Sequence, residues 1–186
     1  MTEAFEAIVL AGGASRRLGG IDKAMVRIGD GPMLAHVLAA CTDADRRIVV
    51  GPRRPGISAV WCIEDPPGGG PVAAIAAGVA ATQAPVVVLL ACDVPYTTDR
   101  TVRSLVAAMS QDGAILVDED GRDQPLLGAY RVESLVRALG ALGPPYTGTP
   151  LHELVARLSL SRVPDSTGAA RDCDTWDDVE VARHGG

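Results

Sequence analysis

Ile8 to Lys23 reads IVLAGGASRRLGGIDK, and the rest of the chain is organised around it. An apolar run, Ala7 to Leu10, ends at glycine as a short buried strand does. The loop that follows carries Gly12, Gly13, Gly19 and Gly20 together with Arg16, Arg17 and Lys23. Glycines let a backbone approach a ligand closely with its N–H groups exposed. Arginine and lysine add charge-assisted bonds to phosphate oxygens. Such a loop directly after a strand is a place to hold a polyphosphate. The alternative is a surface loop with solvated arginines. The spacing is neither G-x-x-x-x-G-K-[ST] nor G-x-G-x-x-G, which disfavours a P-loop kinase or GTPase and a nicotinamide-dependent dehydrogenase.

Outward from that stretch, apolar runs alternate with helical patterns. Strands are expected at Arg47–Val50, Val60–Ile63, Pro85–Ala91, Ala114–Val117, Pro125–Tyr130 and Leu160–Val163. PVVVLLA, residues 85–91, is apolar throughout, as a central strand buried on both faces should be. Helices are expected at Pro32–Cys41, with proline in the first turn, and at Val72–Thr82, whose small residues suit close packing on a sheet. Others are Thr98–Met109, capped by Thr97 or Thr98, Val132–Leu142, Leu151–Leu158, and a last one that Thr175 could cap. The class is α/β, with a mostly parallel central sheet and helices on both faces. At 186 residues one domain is expected, with a nucleotide-binding half over about 1–97 and an acceptor-binding half over about 98–186. Ligands of such sheets sit at the carboxyl ends of the strands. That rule gathers the glycine loop, Asp65 and Asp93 into one crevice.

Composition narrows the function. Aromatics are only 3% of residues and the net charge is −6. Stacking platforms for single-stranded nucleic acid are missing, and nothing pulls the chain generally towards nucleic acid or an anionic membrane. Cys41, Cys62, Cys92 and Cys173 have no C-x-x-C spacing, so structural zinc is disfavoured and small core residues are expected. No run of 18 apolar residues occurs, and a cytoplasmic protein is expected. His36, His152 and His184 are isolated from any serine or cysteine nucleophile. Asp93, fixed at a strand end by Pro95, suits a Mg²⁺ ligand or a turn aspartate. Asp174 is an N-cap unless it meets Asp93 in space. Asp65 is a turn residue or a contact to a nucleoside. Gln124-Pro125 follows an acidic turn that could bind an acceptor, as any turn could.

LAGGASRRLGGIDK (10–23) closely resembles the signature of molybdenum cofactor guanylyltransferases, within the larger nucleotidyltransferase family. The likeness continues through IED (63–65), GGGPVAAIAAG (68–78), ACDVPY (91–96), GRDQPLLGAY (121–130) and DCDTWDD (172–178). It implies a three-layer Rossmann-like nucleotidyltransferase fold and Mg²⁺-dependent transfer of GMP from GTP to the terminal phosphate of molybdopterin. By the same resemblance Leu10, Ala11 and Gly12 lie on the base and ribose side, and Gly13, Arg17 and Lys23 on the phosphates. Gly51 and Asp65 contact the nucleoside, and Asp93, with Asp174 as a second candidate, holds the metal. Arg17, Lys23 and Asp93 are the expected catalytic residues. Tyr96, Gln124 and Pro125 are candidate acceptor contacts. Transient contact with molybdenum insertion proteins or molybdoenzyme chaperones is implied too. Gly51 stands where family members often carry asparagine, and Asp172 and Asp174 where asparagines are common. Cytidylyl transfer to the same pterin, transfer to a sugar phosphate, and a nucleotide-binding regulator without chemistry stay open as alternatives.

Overall fold

The computed structural model describes residues 3–13 and 20–184. The strands are β1 (Phe5–Leu10), β2 (Arg27–Ile28), β3 (Gly31–Pro32), β4 (Arg47–Val50), β5 (Val60–Cys62), β6 (Val86–Ala91), β7 (Gly113–Val117), β8 (Asp123–Arg131) and β9 (Leu160–Pro164). The helices are α1 (Met33–Ala39), α2 (Pro71–Ala81), α3 (Asp99–Ala107), α4 (Val132–Leu142), α5 (Leu151–Val155) and α6 (Trp176–His184). A 3-10 turn at Lys23–Met25 precedes β2.

Five strands pair in the order β5-β4-β1-β6-β8. The first four are parallel, and β8 runs antiparallel to β6. Beyond β8 lies the parallel pair β7–β9, with β7 packed along β8. β1 is buried along its whole length, and β6 along all but its last residue. Side chains on a strand alternate between faces, and two cores result. On one face Ala7, Val9 and Val88 meet Leu34 and Val37 of α1 and Leu105 of α3. On the other, Ile8, Ile48 and Leu89 meet Val72 and Ile75 of α2, Leu135 of α4 and Leu154 of α5. The expected three-layer α/β arrangement is the one observed. A third small cluster joins α6 to the β2–β3 ribbon, where Val26, Ile28 and Met33 bury Cys173 and Val179.

Local differences have local causes. Pro32 is not in the first turn of α1: it pairs with Arg27 in the β2–β3 ribbon and serves as the N-cap in extended backbone. Leu151–Leu158 is helical only to Val155. Thr98, not Thr97, caps α3, its hydroxyl accepting from the Thr101 N–H at 3.2 Å. Pro125 falls inside β8 but beyond the residues that pair with β6, where its missing N–H costs no ladder bond. The four cysteines are free thiols. Burial pushes Cys41 and Cys92 up to about 12, which leaves both inert near neutral pH. Among the described residues, no helix is long and apolar enough to cross a membrane.

α2 approaches the sheet through Gly78. A methyl group there would stand 2.6 Å from Ile8 Cγ2. Gly140 in α4 has open space around it. Helix propensity favours alanine over glycine by up to about 1 kcal/mol. Gly140→Ala should therefore raise stability by a few tenths of a kcal/mol or more, roughly. Gly78→Ala should lower it by about 1 kcal/mol, because overpacking outweighs the same gain. Urea midpoints of the two variants check the opposite signs.

Asp112 fastens the second half of the chain. Its carboxylate accepts from Ser134 Oγ at 2.6 Å, the Ser159 N–H at 2.8 Å and Arg137. The Ser134 hydroxyl foremost, then the backbone N–H and Arg137, hold its carboxyl at about 2. A depressed carboxyl contributes stability above its unfolded value and loses it as pH falls through the folded one. This contribution should be full above about pH 4 and fade towards pH 2. Asp112→Asn should flatten that part of a stability-against-pH curve.

Candidate active site

The chain runs β1→β4→β5 outward in one direction, then returns through α2 to place β6 on the other side of β1. The carboxyl ends of β1 and β6 thus form the switch point at which such sheets open a crevice. Leu10 pairs with Ala91, and the Cys92 N–H donates to the Leu10 carbonyl at 3.1 Å. The start of the glycine loop and Asp93 are consequently neighbours. A cavity of about 560 Å³ lies above them.

Leu10, Ala11, Gly12, Gly13, Lys23, Asp93 and Asp174 all line that cavity. The central contact joins three of them. Lys23 Nζ donates to Asp93 Oδ2 at 2.7 Å and to Asp174 Oδ1. The lysine side chain is 13% exposed. Burial acts to lower its basicity, but the bonds and charges of Asp174 and Asp93 outweigh it and hold the ammonium above its ordinary value. Asp172 lies near the same charges. Loss of solvent, then Asp174 and Asp93, push its carboxyl up.

Backbone bonds explain how Asp174 reaches Asp93. The Cys173 N–H donates to the Asp93 carbonyl at 3.0 Å, and Cys173 is wholly buried. A capping box then starts α6. The Thr175 hydroxyl accepts from the Asp178 N–H at 3.2 Å, while Asp178 Oδ2 accepts from the Thr175 N–H at 2.7 Å and the Asp174 N–H at 3.1 Å. Thr175 and Asp178 act as helix caps; Asp174 itself is turned to the cavity. Among the described residues no group of three metal-ligating side chains is present. Asp93 and Asp174 are a fit for a hard cation that takes one or two protein carboxylates and finds its other ligands on phosphate and water.

A buried arginine, overlooked in the sequence, holds the loops around this contact. Arg54 is 7% exposed and forks onto Asp22, Nε to Oδ2 at 2.6 Å and Nη2 to Oδ1 at 2.8 Å. It also donates to the carbonyls of Ala11 at 2.8 Å and Pro52 at 3.1 Å. The residue next to Lys23 is thereby tied to the end of β1. Gly51 belongs to the same joint. Its φ is +145°, and a Cβ there would stand 2.9 Å from the Ala11 carbonyl oxygen. Gly51 does not line the cavity; its role in this geometry is to let β4 end flush against Ala11 and Gly12.

Other expected residues lie elsewhere. Asp65 is exposed and outside the cavity lining, whereas its neighbour Glu64 is buried and lines it. Glu64 Oε1 accepts from the Gly68 N–H at 2.9 Å. Tyr96 packs against the cluster beneath α6. Gln124 donates to Asp118 at 2.8 Å, and the Pro125 carbonyl accepts from the buried Tyr130 hydroxyl at 2.6 Å. None of these three lines the cavity, but Leu126 does. Arg16 and Arg17 lie outside the described residues.

The profile of the MobA-like NTP transferase domain matches residues 7–160 of this chain. The molybdenum cofactor guanylyltransferase of Shewanella loihica is 32% identical over 135 residues, covering 68% of this chain and 69% of that one. Among solved structures, molybdopterin-guanine dinucleotide biosynthesis protein A from Archaeoglobus fulgidus superposes with a TM-score of 0.72 at 20% identity, over 96% of each chain. A nucleotidyl transferase from Methanothermobacter gives 0.78 at 18% identity, over 98% of this chain and 97% of that one. At such identities the structural likeness shows the fold.

Arg54→Ala should cost about 2 kcal/mol, because it takes donors from the Ala11 carbonyl and from both carboxylate oxygens of Asp22. Arg54→Lys should recover only part of this, since an ammonium lacks the planar fork. Denaturant midpoints for the pair check both statements.

Proposed function

The chain belongs to the MobA-like NTP transferase family, and from that premise we propose that it transfers GMP from GTP to the terminal phosphate of molybdopterin, releasing pyrophosphate. One observation carries the reading: Lys23, Asp93 and Asp174 converge at the carboxyl ends of β1 and β6, beside backbone that glycine keeps open. The name of the Shewanella loihica relative, molybdenum cofactor guanylyltransferase, supports a guanylyl group as what is transferred.

The reaction asks little covalent chemistry of the protein. An acceptor phosphate oxygen attacks the α-phosphorus of GTP, and the bond to pyrophosphate breaks. The nucleophile comes with the substrate, so the protein's share is positioning and charge stabilisation. Gly12 and Gly13 offer close backbone approach to the nucleotide. Lys23, held charged in the free protein, turns its ammonium to phosphate oxygens as negative charge builds on them. Asp93 and Asp174 would hold Mg²⁺, which, when bound, neutralises phosphate charge and polarises the phosphoryl group. Arg17 adds a second cation on the phosphates in this proposal. In this proposal the pterin acceptor lies on the side of the cavity lined by Leu126.

Cytidylyl transfer to the same pterin is the competing reading, favoured by the aspartates at 172 and 174. A turnover assay with molybdopterin and each of four nucleoside triphosphates separates the two. GTP should support pyrophosphate release and CTP should not. Lys23→Ala and Asp93→Ala should each lower the rate about 100-fold. Chelation should stop turnover, and Mg²⁺ should restore it. Full activity in both variants would overturn the mechanism.

A further inference from the structure

The three charges at the carboxyl ends of β1 and β6 differ in how far they can move. Asp93 is anchored through its backbone, whose carbonyl accepts from the Cys173 N–H at 3.0 Å. Asp174 is anchored at its own N–H, which donates to Asp178 Oδ2 at 3.1 Å. The backbone of Lys23 is held as well. Its carbonyl accepts from the Val26 N–H at 3.1 Å, Ala24 beside it is buried, and Arg54 grips Asp22 on the other side. Each carboxylate stands one carbon from an anchored backbone and cannot go far. The ammonium stands on a flexible four-carbon stem and can swing.

The place where that stem ends is the one a divalent cation would need. Lys23 Nζ is bonded at once to Asp93 Oδ2, at 2.7 Å, and to Asp174 Oδ1. Mg²⁺ sits roughly 2.1 Å from its carboxylate oxygens. An ion on those same two oxygens would stand close against the ammonium, and like charges at such range repel strongly. Solvent screens little of this, since side-chain exposure is 13% for Lys23, 24% for Asp93 and 37% for Asp174. A metal ion arriving alone would have to evict an ammonium bonded to two carboxylates and would offer it nothing in return. A nucleotide in the cavity beside Gly12 and Gly13 changes the balance. Its phosphate oxygens give the ammonium new charge-assisted bonds to make.

We propose that Lys23 is the resident cation of the metal site in the free protein, and that it yields the two aspartates only when phosphate arrives to receive it. Free divalent ions are turned away, and metal and nucleotide enter together. Each then raises the affinity for the other by the same factor. The inference rests on the proposed function for the metal and the nucleotide, and adds the order in which they are taken.

Mn²⁺ titrated into the intact protein, with the free ion followed by electron paramagnetic resonance, reads the site without turnover. The wild type should bind it weakly. Lys23→Met keeps a stem and loses the charge, so it should bind Mn²⁺ about tenfold or more tightly. Adding Asp93→Asn to that variant should abolish the gain. Equal affinity in the wild type and Lys23→Met would overturn the inference. A second measurement needs no variant. Lys23 is the chain's single lysine, so isotope-labelled lysine gives one side-chain ammonium signal in NMR. Mg²⁺ alone should leave that signal in place, and Mg²⁺ with a non-hydrolysable GTP analogue should move it. A signal displaced by Mg²⁺ alone would sink the inference and leave guanylyl transfer standing. A signal moved by Mg²⁺ with a CTP analogue, and not with the GTP analogue, would sink guanylyl transfer and support the inference.

Discussion

Two carboxylates brought to one point in a half-buried cleft repel each other unless a cation stands between them. Here that cation is Lys23, bound at once to Asp93 and Asp174. The rest of the site is built to bring these three together. Asp93 arrives on the most deeply buried part of the sheet, one strand from the loop that delivers Lys23. Asp174 arrives from near the chain's other end, held by the Cys173 N–H and the α6 capping box. Arg54 fixes Asp22, and so the entry of the Lys23 turn, to the end of β1. A protein of net charge −6 thus places its single lysine between two carboxylates at the floor of the cavity.

The parts legible in the sequence were those whose residues repeat a pattern or break one. Val86–Leu90 is apolar on both faces because it is buried on both faces, and its period needs no tertiary knowledge. The glycine loop stands out because four glycines and three cations follow a strand, and Leu10 to Gly13, Lys23 and Asp93 do line the cavity. Asp174 was legible only as a pair of alternatives. Choosing between cap and ligand needed the distance to Lys23, set by a backbone bond across 80 residues of chain.

What stayed hidden was buried polarity in loops. Arg53 and Arg54 are adjacent and identical in type, yet only Arg54 is buried, and no periodicity marks which. Glu64 and Asp65 pose the same problem: two acids in a row, one facing the cavity and the other facing solvent. A one-residue step reverses the environment after a strand, and neither composition nor period shows which of two adjacent acids is turned inward. By resemblance Gly51 is a nucleoside contact, standing where asparagine is common. Its strained φ and its contact with the Ala11 carbonyl give it a packing reason instead. Gln124 and Pro125 look like a mobile acceptor segment because acidic turns do. In the fold they are tied down by Asp118 and Tyr130.

The aspartates at 172 and 174 gain meaning from the same electrostatics. Asparagines there would leave Asp93 as the carboxylate bonded to Lys23, and one of the two contacts that raise the lysine's basicity would lose its charge. With Asp174 present two carboxylates face one ammonium, and Asp172 sits near this excess of negative charge; burial first, then Asp174 and Asp93, push its carboxyl up. A nucleotide arriving alone would add more negative charge to this cluster, and like charges at such range oppose binding. A nucleotide arriving with a divalent cation brings its own compensation, and frees Lys23 from the carboxylates to face phosphate. On the proposed function, the aspartates at 172 and 174 would therefore favour the metal–nucleotide complex over the bare nucleotide.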